Sequence, residues 1–234
     1  MHRFYIPYLT ENYCQLGLEE SQHCIKVLRL KQGDQIELTN GHGSLFKAEI
    51  TEASSKACIL KILEQHNEPS AIWELHVAIA PTKNIARLEW LIEKLIEIGI
   101  TEFIPFQSHH SERKVLKTER LKKISIEAMK QSERTYLPNV KEMVLYSEML
   151  KEMNIFKGQK FILHCIDREL STISGAYKKG QNALVLIGPE GDFTNMEVQE
   201  AIGHGYVPIT LGKVRYRTET SALIAACALH TLNE

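Results

Sequence analysis

The constraint that most limits the fold is a change in hydrophobic pattern near residue 70. Before it, apolar and polar residues alternate in short runs, whereas after it continuous apolar runs alternate with segments of helical spacing. The first pattern is typical of strands with one buried face, and the second of a parallel sheet covered by helices. The polar stretch 64–70 separates them. We therefore expect a small β domain over residues 1–67 and an α/β domain over residues 71–234.

A hairpin is predicted in the first domain. Ile36 and Leu38 alternate on one face of a strand, and a second strand over residues 45–50 follows the turn signal Asn40-Gly41-His42-Gly43. Residues 57–63 form a third apolar run. Short strands, tight turns and no long helical pattern indicate a small barrel.

The second domain is predicted to alternate strands with helices. Strands are expected at 73–80, 103–105, 161–166, 183–187 and 207–211, and helices at 84–98, 116–132, 194–204 and 220–232. Gly99 suits the position after the first helix, and Thr194 with Glu197 forms a capping box at the start of the third. This alternation predicts a mostly parallel sheet.

Composition excludes several classes of protein. Hydrophobic residues make up 44% and charged residues 24% of the 234 positions, which is typical of a globular protein and not of a disordered one. No run approaches the roughly 20 apolar residues of a membrane span, and Met1–Leu9 lacks the apolar centre of a signal peptide. We therefore expect a soluble, cytoplasmic protein with no membrane partner.

The cysteines and histidines predict neither disulfides nor a metal site. The five cysteines are isolated and form no C-x-x-C pair: Cys14, Cys24, Cys58, Cys165 and Cys227. An odd number of isolated cysteines suits reduced thiols. His109 and His110 are adjacent, which is poor geometry for two ligands of one metal, so a polar loop is the favoured interpretation.

One segment is locally basic although the net charge is −1. Between Arg113 and Arg134 there are eight Lys or Arg and only three Glu. Such a cluster can bind phosphates, and a solvated helix face with Glu–Lys pairs is an equally good interpretation.

Three strand ends in the second domain carry residues suited to ligand binding. Ligands of open parallel sheets lie beyond the carboxyl ends of the strands. The candidates are His164-Cys165-Ile166-Asp167, residues 187–193 and residues 211–220. Gly188 and Gly191 would let the backbone approach a ligand closely, although a βα turn that needs glycine explains them as well.

Common nucleotide fingerprints do not occur in the sequence. There is no G-x-G-x-x-G after a strand and no G-x-x-x-x-G-K-[ST]. Three loops without a pyrophosphate-binding motif suit adenosine or S-adenosylmethionine better than ATP.

The loop motifs resemble those of the knotted SPOUT class of methyltransferases. Gly188-Pro189-Glu190-Gly191 is followed by Leu211-Gly212 and by Arg217-Thr218-Glu219-Thr220. More narrowly, the chain resembles the family that methylates N3 of a uridine in 16S ribosomal RNA. The resemblance extends over nearly the whole chain through three further segments: His23-x3-Val27-Leu28-Arg29-x3-Gly33-Asp34, Trp90-x2-Glu93-Lys94-x2-Glu97-x-Gly99 and Glu127-Ala128-x2-Gln131-Ser132-x-Arg134.

This resemblance implies a fold, a cofactor and partners. The fold would be a PUA-like, RNA-binding β-barrel over residues 1–67 followed by an α/β trefoil-knotted domain over residues 71–234. The methyl donor would be S-adenosyl-L-methionine, and the substrate 16S ribosomal RNA or the assembled small ribosomal subunit. The family works as a homodimer, for which the apolar residues Ala222, Ala225, Ala226 and Leu229, with part of the 85–98 helix, are a candidate interface. Simple core packing explains those residues equally well.

The loops and the resemblance together predict the site residues. The donor-binding set is His164, Ile187, Gly188, Pro189, Glu190, Gly191, Leu211, Gly212, Arg215, Tyr216 and Arg217. The RNA-binding set is Lys26, Arg29, Arg113, Lys114 and Arg134. Arg217 and Glu219 are the catalytic candidates, and no metal is expected.

The chemistry of uridine methylation suggests what the two catalytic candidates do. Uridine N3–H is a weak acid, so an enzyme must align N3 with the methyl group, stabilise negative charge on O2 and O4, and accept a proton. Arg217 is the candidate for that charge, and we expect it to be buried with Glu219 as its partner. Glu219 could equally serve as the base or stabilise the start of the last helix.

The chain departs from the family pattern at three places. Asp192 stands where the family commonly has a second glycine, Val214 where it has an arginine (with Arg215 one place later), and Ser221 where it has alanine.

Three other functions stay open: a non-catalytic RNA-binding protein, a methyltransferase acting on another RNA, and a metabolic enzyme acting on a small nucleotide.

Overall fold

The computed structural model describes residues 1–9, 12–165 and 170–234. Within these residues the chain forms two compact units: Met1–Ser70 with Met129–Leu137, and Ala71–Ala128 with Pro138–Glu234. The segment 129–137 therefore groups with the first unit, whereas the sequence pattern assigns it to the second domain.

The first unit is built on one five-stranded sheet. Its elements are β1 (Arg3–Tyr5), β2 (Tyr13–Gln15), α1 (Leu18–Gln22), a π-helical turn (His23–Val27), β3 (Gln35–Thr39), β4 (Ser44–Glu52) and β5 (Ile59–Asn67). The strand order is β1-β3-β4-β5-β2, so the sheet is a half-barrel whose end strands are β1 and β2. The predicted hairpin is confirmed, because β3 pairs antiparallel with β4 and places Leu38 opposite Phe46.

The core of the first unit lies on one face of this sheet. Ile36 and Leu38 are both fully buried, as their alternation predicts. Along β4 the register shifts at Lys47/Ala48 and again at Ile50/Glu52, and such irregularities bend a strand. The bends let a short sheet curl around its own apolar side chains.

The segment 129–137 joins the first unit through backbone and side-chain hydrogen bonds that no hydrophobic pattern reveals. The Gly43 N–H donates to the Thr135 carbonyl at 3.0 Å, and the Tyr136 hydroxyl donates to the Glu68 carbonyl at 2.8 Å. The Thr135 hydroxyl donates to the Glu68 carboxylate at 2.6 Å. These bonds are the physical reason for the difference from the expected domain boundary.

The second unit contains a parallel sheet of eight strands. Its strands are β6 (Leu75–Ile79), β7 (Glu102–Gln107), β8 (Asn139–Val140), β9 (Val144–Leu145), β10 (Gln159–Leu163), β11 (Ser171–Thr172), β12 (Ala183–Ile187) and β13 (Tyr206–Thr210). Its helices are α2 (Ile85–Ile98), α3 (Thr118–Gln131, which ends in the first unit), α4 (Tyr146–Glu152), α5 (Ile173–Ala176), α6 (Asn195–Gly203) and α7 (Thr218–Asn233), with a 3-10 turn at Met153–Ile155. The order β11-β13-β10-β12-β6-β7-β8, with β9 on β7, confirms the predicted parallel α/β sheet.

Helices cover both faces of this sheet. On one face, α7 contacts α2, β6 and β12. On the other, α4 and α6 pack through Met149, Leu150 and Val198 against Leu184 and Leu186 of β12. Because β12 is covered on both sides, all five of its residues are buried, which explains its continuous apolar sequence.

The helix ends follow the predicted signals. The Asn84 side chain accepts a hydrogen bond from the Ala86 N–H at the start of α2, and Gly99 ends that helix with φ +102°. Thr194 and Glu197 form the expected capping box at the start of α6. Within the described ranges, none of the helices combines the length and the apolar character that a membrane crossing requires.

The small apolar residues of α7 face the interior of the chain. Ala222, Ala225, Ala226 and Leu229 are each no more than 1% exposed, and α7 packs on α2. They are therefore not a surplus apolar surface, and the sequence argument that made them a dimer interface is wrong. Core packing, the alternative interpretation, accounts for them.

A comparison of two glycine substitutions tests how the 129–137 segment is held. Gly33 and Gly43 both have positive φ, but a Cβ at Gly33 would meet no atom within 4 Å, whereas one at Gly43 would overlap the Tyr136 ring. We expect Gly33→Ala to cost about 1–2 kcal/mol from backbone strain alone. Gly43→Ala should cost roughly 1–3 kcal/mol more, because Tyr136 must move.

Urea denaturation of the two variants measures this difference. Equal losses of unfolding free energy would show that Tyr136 does not hold the segment against Gly43.

Candidate functional site

A cleft of about 1010 Å³ opens at the carboxyl ends of β10, β12 and β13. Three strand-end segments line it: 163–165, 187–192 without Gly191, and 209–218, together with Ser221. This is the edge where parallel sheets bind ligands, because the loops that follow neighbouring strands converge there.

Ten of the eleven predicted donor-binding residues line this cleft. They are His164, Ile187, Gly188, Pro189, Glu190, Leu211, Gly212, Arg215, Tyr216 and Arg217. Gly191 lies outside the lining. Ile166 and Asp167, which the sequence pattern places at the end of the first strand, lie outside the described residues.

The two glycines of the 187–191 loop are explained by contacts within the protein. A Cβ at Gly188 would come within 2.9 Å of the Phe193 ring, and one at Gly191 within 3.0 Å of the His110 Cβ. Their missing side chains therefore make room for Phe193 and His110. These contacts support the βα-turn interpretation, and the close approach of this backbone to a ligand stays a prediction.

Asp192 connects the loops that follow β10 and β12. Its φ is +62°, a conformation that glycine adopts freely and that Asp tolerates better than most residues. The carboxylate accepts one hydrogen bond from the Cys165 N–H and one from the Phe193 N–H, both at 2.8 Å. Asp192 thus adopts a conformation that a glycine could also adopt, and its carboxylate adds a connection between the two loops.

The loop after β6 is fixed to the same edge from two sides. The Lys83 N–H donates to the Glu190 carboxylate at 3.0 Å. Arg113 donates to the Thr82 carbonyl at 3.0 Å and to the Lys83 carbonyl at 2.5 Å. Two of the donors of Arg113 are therefore used inside the protein, and its predicted phosphate contact stays a prediction.

The 211–217 segment presents unpaired donors to the cleft. Lys213, Arg215 and Arg217 are exposed and make no ion pair within the described part of the chain. The backbone N–H groups of residues 213–216 likewise have no acceptor among the described residues. Backbone N–H groups and three cations are thus available to a ligand.

Cys165 contributes a neutral side chain to the lining. Burial raises the pKa of its thiol, the Asp192 carboxylate raises that pKa further, and Arg215 acts in the opposite direction. The thiol is therefore protonated at neutral pH, since the pKa of an ordinary cysteine already lies above 7.

Arg217 and Glu219 do not form the expected pair. Arg217 is exposed and directly precedes α7, while Glu219 is only 6% exposed and lies outside the cleft lining. The partner of Glu219 is Arg87, whose Nε lies 3.6 Å from its Oε1. The sequence analysis missed Arg87; a signal was available, because a cation in the first turn of a helix opposes the helix dipole.

The predicted RNA-binding residues lie in both units. Lys26 and Arg29 are exposed in the first unit, where Arg29 has φ +57°. Lys114 is exposed in the second unit. Arg134 belongs to the first unit and is half-buried.

Much of the positive charge between 113 and 134 is neutralised within the protein. Lys130 is buried and pairs with Glu20 at 2.7 Å. Other pairs in this segment are Arg120 with Glu89 and Lys122 with Glu119 and Glu142. The structure therefore favours the interpretation of this helix as one with internal charge pairs.

In the described residues, no three His, Cys, Asp or Glu side chains are grouped as metal ligands.

Substitutions of Asp192 test its connecting role. Asp192→Ala should lower the free energy of unfolding by about 2–4 kcal/mol, because it loses two hydrogen bonds to a charged acceptor and strains the backbone. Asp192→Asn should cost clearly less, since it keeps an acceptor oxygen and tolerates positive φ. Asp192→Gly, which relieves the strain but loses both bonds, should lie between them. Thermal and urea unfolding give the order, and an Ala variant as stable as the Asn variant would contradict it.

The chain was compared with family models, curated proteins and solved structures. A model described as an RNA methyltransferase domain matches residues 68–230, and one described as an RNA methyltransferase PUA domain matches residues 17–63. The ribosomal RNA small subunit methyltransferase E of Mesomycoplasma hyopneumoniae is 30% identical over 228 residues, which cover 95% of this chain and 96% of that protein.

Two solved structures are similar over the whole chain. One, described as a probable rRNA-methyltransferase from Porphyromonas gingivalis, has a TM-score of 0.92 and 38% identity, and the match covers 100% of this chain and 98% of that one. The other is a ribosomal RNA small subunit methyltransferase E from Neisseria gonorrhoeae bound to S-adenosyl methionine, with a TM-score of 0.89, 28% identity and the same coverage. The match of the methyltransferase domain to most of the chain, and a curated relative at 30% identity over almost its full length, show that the chain belongs to the ribosomal RNA small subunit methyltransferase E family of RNA methyltransferases.

Proposed function

We propose that this protein transfers the methyl group of S-adenosyl-L-methionine to N3 of a uridine in 16S ribosomal RNA. The observation that carries the proposal is the cleft formed by three strand-end segments within the RNA methyltransferase domain. A relative with the same fold along the whole chain is bound to S-adenosyl methionine, which supports this choice of donor. The substrate is the RNA of the small ribosomal subunit, free or assembled, in the cytoplasm.

The lining of the cleft fits such a donor. Apolar side chains such as Ile187, Ile209 and Leu211 suit an adenine ring, and the unpaired backbone N–H groups at 213–216 suit polar acceptors of a nucleoside. When bound, the donor supplies an electrophilic methyl group attached to a positively charged sulfur.

The residues of the chain have three tasks in the reaction. They exclude water around the methyl group, hold the uracil ring with N3 in line, and stabilise the charge that appears on O2 and O4 when the N3 proton leaves. The proton passes to water at the exposed mouth of the cleft, and the N3 lone pair is then free to accept the methyl group that the bound donor would supply, with S-adenosylhomocysteine as the leaving group. Arg217 is exposed at the mouth of the cleft and has an unused planar set of donors, which suits it to those oxygens.

The fine topology and the assembly are part of the same proposal. A trefoil knot is supported by the strand order and by the position of α7. In the sheet, β12 lies between β10 and β6, and β13 lies on the other side of β10. The last helix, α7, then packs against β6. A closed PUA-like barrel is supported by the half-barrel sheet and the PUA-domain match.

We also propose a homodimer, with the exposed Trp90 of α2 in the interface instead of the buried residues of α7.

For RNA binding we propose Lys26 and Arg29 of the first unit and Lys114 of the second. All three are exposed, so they can reach phosphates without breaking internal bonds. Arg113 and Arg134 have a smaller part, because Arg113 is engaged with the loop after β6 and Arg134 is half-buried.

The function is tested by methyl transfer from labelled S-adenosylmethionine to purified RNA. We expect label in 16S ribosomal RNA, offered free and as the small subunit, and nucleoside analysis should identify 3-methyluridine. Label at another position of uridine would overturn the N3 assignment, and label only in another RNA would overturn the substrate. Calorimetry without binding of the donor or S-adenosylhomocysteine would overturn the proposal as a whole.

Arg217 variants test the role assigned to this residue. Arg217→Ala should lower kcat by a factor corresponding to about 2.7–4 kcal/mol, as for the loss of one preorganised donor. Affinity for the donor should change little. Arg217→Lys should recover only part of the rate, because lysine keeps the charge but not the planar arrangement of donors.

Donor titration and thermal melting of the same samples separate a catalytic defect from a folding defect. A folded Arg217→Ala protein that methylates RNA at the wild-type rate would remove Arg217 from the mechanism.

A further inference from the structure

The buried carboxylate of Glu219 has one oxygen that the rest of the protein does not use. Glu219 is 6% exposed, and its Oε2 is inaccessible to solvent and has no hydrogen-bond partner in the described residues. Its Oε1 lies 3.6 Å from the Nε of Arg87. A buried carboxylate is stable only beside a cation or several donors, so Arg87 is the group that compensates it.

Arg87 is the more exposed member of this pair. Its side chain is 39% exposed, and its contact with Glu219 is made through Nε. The two terminal nitrogens of the guanidinium have no acceptor in the described part of the chain. Glu219 therefore holds one edge of the guanidinium, and the other nitrogens are free to donate to a ligand.

The pair lies beside the candidate active site. Thr218 and Ser221, on either side of Glu219 in α7, line the cleft. Arg87 is in the first turn of α2, directly after the loop that is bonded to Glu190 of the cleft through the Lys83 N–H. Both residues thus lie at the edge of the sheet where the methyl donor and the RNA would meet.

We propose that Arg87 contacts the target uracil and that Glu219 is a positioning residue that orients Arg87. This inference rests on the proposed function. The free nitrogens of Arg87 donate hydrogen bonds to a uracil oxygen on which negative charge develops, as a planar guanidinium is suited to do. Glu219 is not the base, because solvent does not reach Oε2 and Oε1 faces a cation.

A double-mutant cycle on the folded full-length protein tests whether Glu219 acts through Arg87. Arg87→Gln should lower kcat about 10²-fold or more, the effect of losing one preorganised donor. Glu219→Gln should lower kcat less, since Arg87 stays present but loses its fixed orientation. If Glu219 acts only through Arg87, the double variant should be no slower than Arg87→Gln alone, within about twofold. Arg87→Lys should restore only part of the rate.

The control and the other measurements distinguish this role from general damage. Arg120→Gln removes an arginine that also pairs with a glutamate on α2, Glu89, but it should leave kcat unchanged. Melting temperature and affinity for S-adenosylhomocysteine should stay near wild type in Arg87→Lys and Glu219→Gln. These two conservative variants keep the test available if Arg87→Gln does not fold.

A measurement that does not need turnover follows the Arg87 Nε–H by NMR. The resonance, assigned by its loss in Arg87→Lys, should be visible in the protein alone, should broaden in Glu219→Gln, and should shift when uridine-containing RNA is added with S-adenosylhomocysteine. An unchanged resonance in Glu219→Gln would overturn the positioning role, and no shift with bound RNA would overturn the contact.

The kinetic outcomes separate this inference from the proposed function. Losses that multiply in the double variant would show that Glu219 acts independently, for instance as a base. A wild-type rate for Arg87→Gln would overturn the role of Arg87 and leave the methylation assignment intact. A wild-type protein that methylates no RNA would overturn the proposed function, and the NMR result then decides alone whether Glu219 orients Arg87.

Discussion

The cleft at the carboxyl ends of β10, β12 and β13 depends on carboxylates that accept hydrogen bonds from backbone N–H groups of neighbouring loops. Asp192 holds the backbone at Cys165, and Glu190 holds the backbone at Lys83. Loops at the end of a parallel sheet have no ladder hydrogen bonds of their own, so side chains must supply the acceptors. A charged acceptor makes such bonds stronger than neutral ones, and the cleft can keep its shape before any ligand enters.

These hydrogen bonds also explain part of the Gly-Pro-Glu-Gly motif at 188–191. From the sequence alone, this motif suggests a surface for a ligand. In the structure, its two glycines make room for side chains of the protein, and the Glu190 carboxylate fixes a neighbouring loop. Among the described residues, the backbone N–H groups at 213–216 and the side chains of Lys213, Arg215 and Arg217 are the donors of the lining without a partner. Residues of one loop motif can thus shape the wall of a cleft while another loop presents its free donors.

The sequence predicted the features that depend on local patterns. β12 was predicted at its observed bounds because a strand buried on both faces is continuously apolar, and the ends of α2 and α6 follow from Asn84, Gly99 and the Thr194 capping box. What the sequence could not provide depends on contacts between distant residues. The 129–137 segment is held by a backbone bond to Gly43 and by side-chain bonds to Glu68, and Glu219 pairs with Arg87, which is 132 positions away.

The distribution of charge shows why a basic segment is a poor guide to where RNA binds. Four of the eight cations between 113 and 134 are paired with glutamates from other elements or bonded to carbonyl groups, and such cations cannot approach a phosphate without giving up those contacts. Lys213, Arg215 and Arg217 have no such partner in the described residues, although they form a shorter run in the sequence. Within the described residues, these three side chains place free positive charge in the lining of the cleft, in addition to the exposed charges of Lys26, Arg29 and Lys114 elsewhere on the chain. A phosphate-bearing ligand near the cleft would be attracted by charge in the lining itself, so the same side chains can both steer the ligand and contact it.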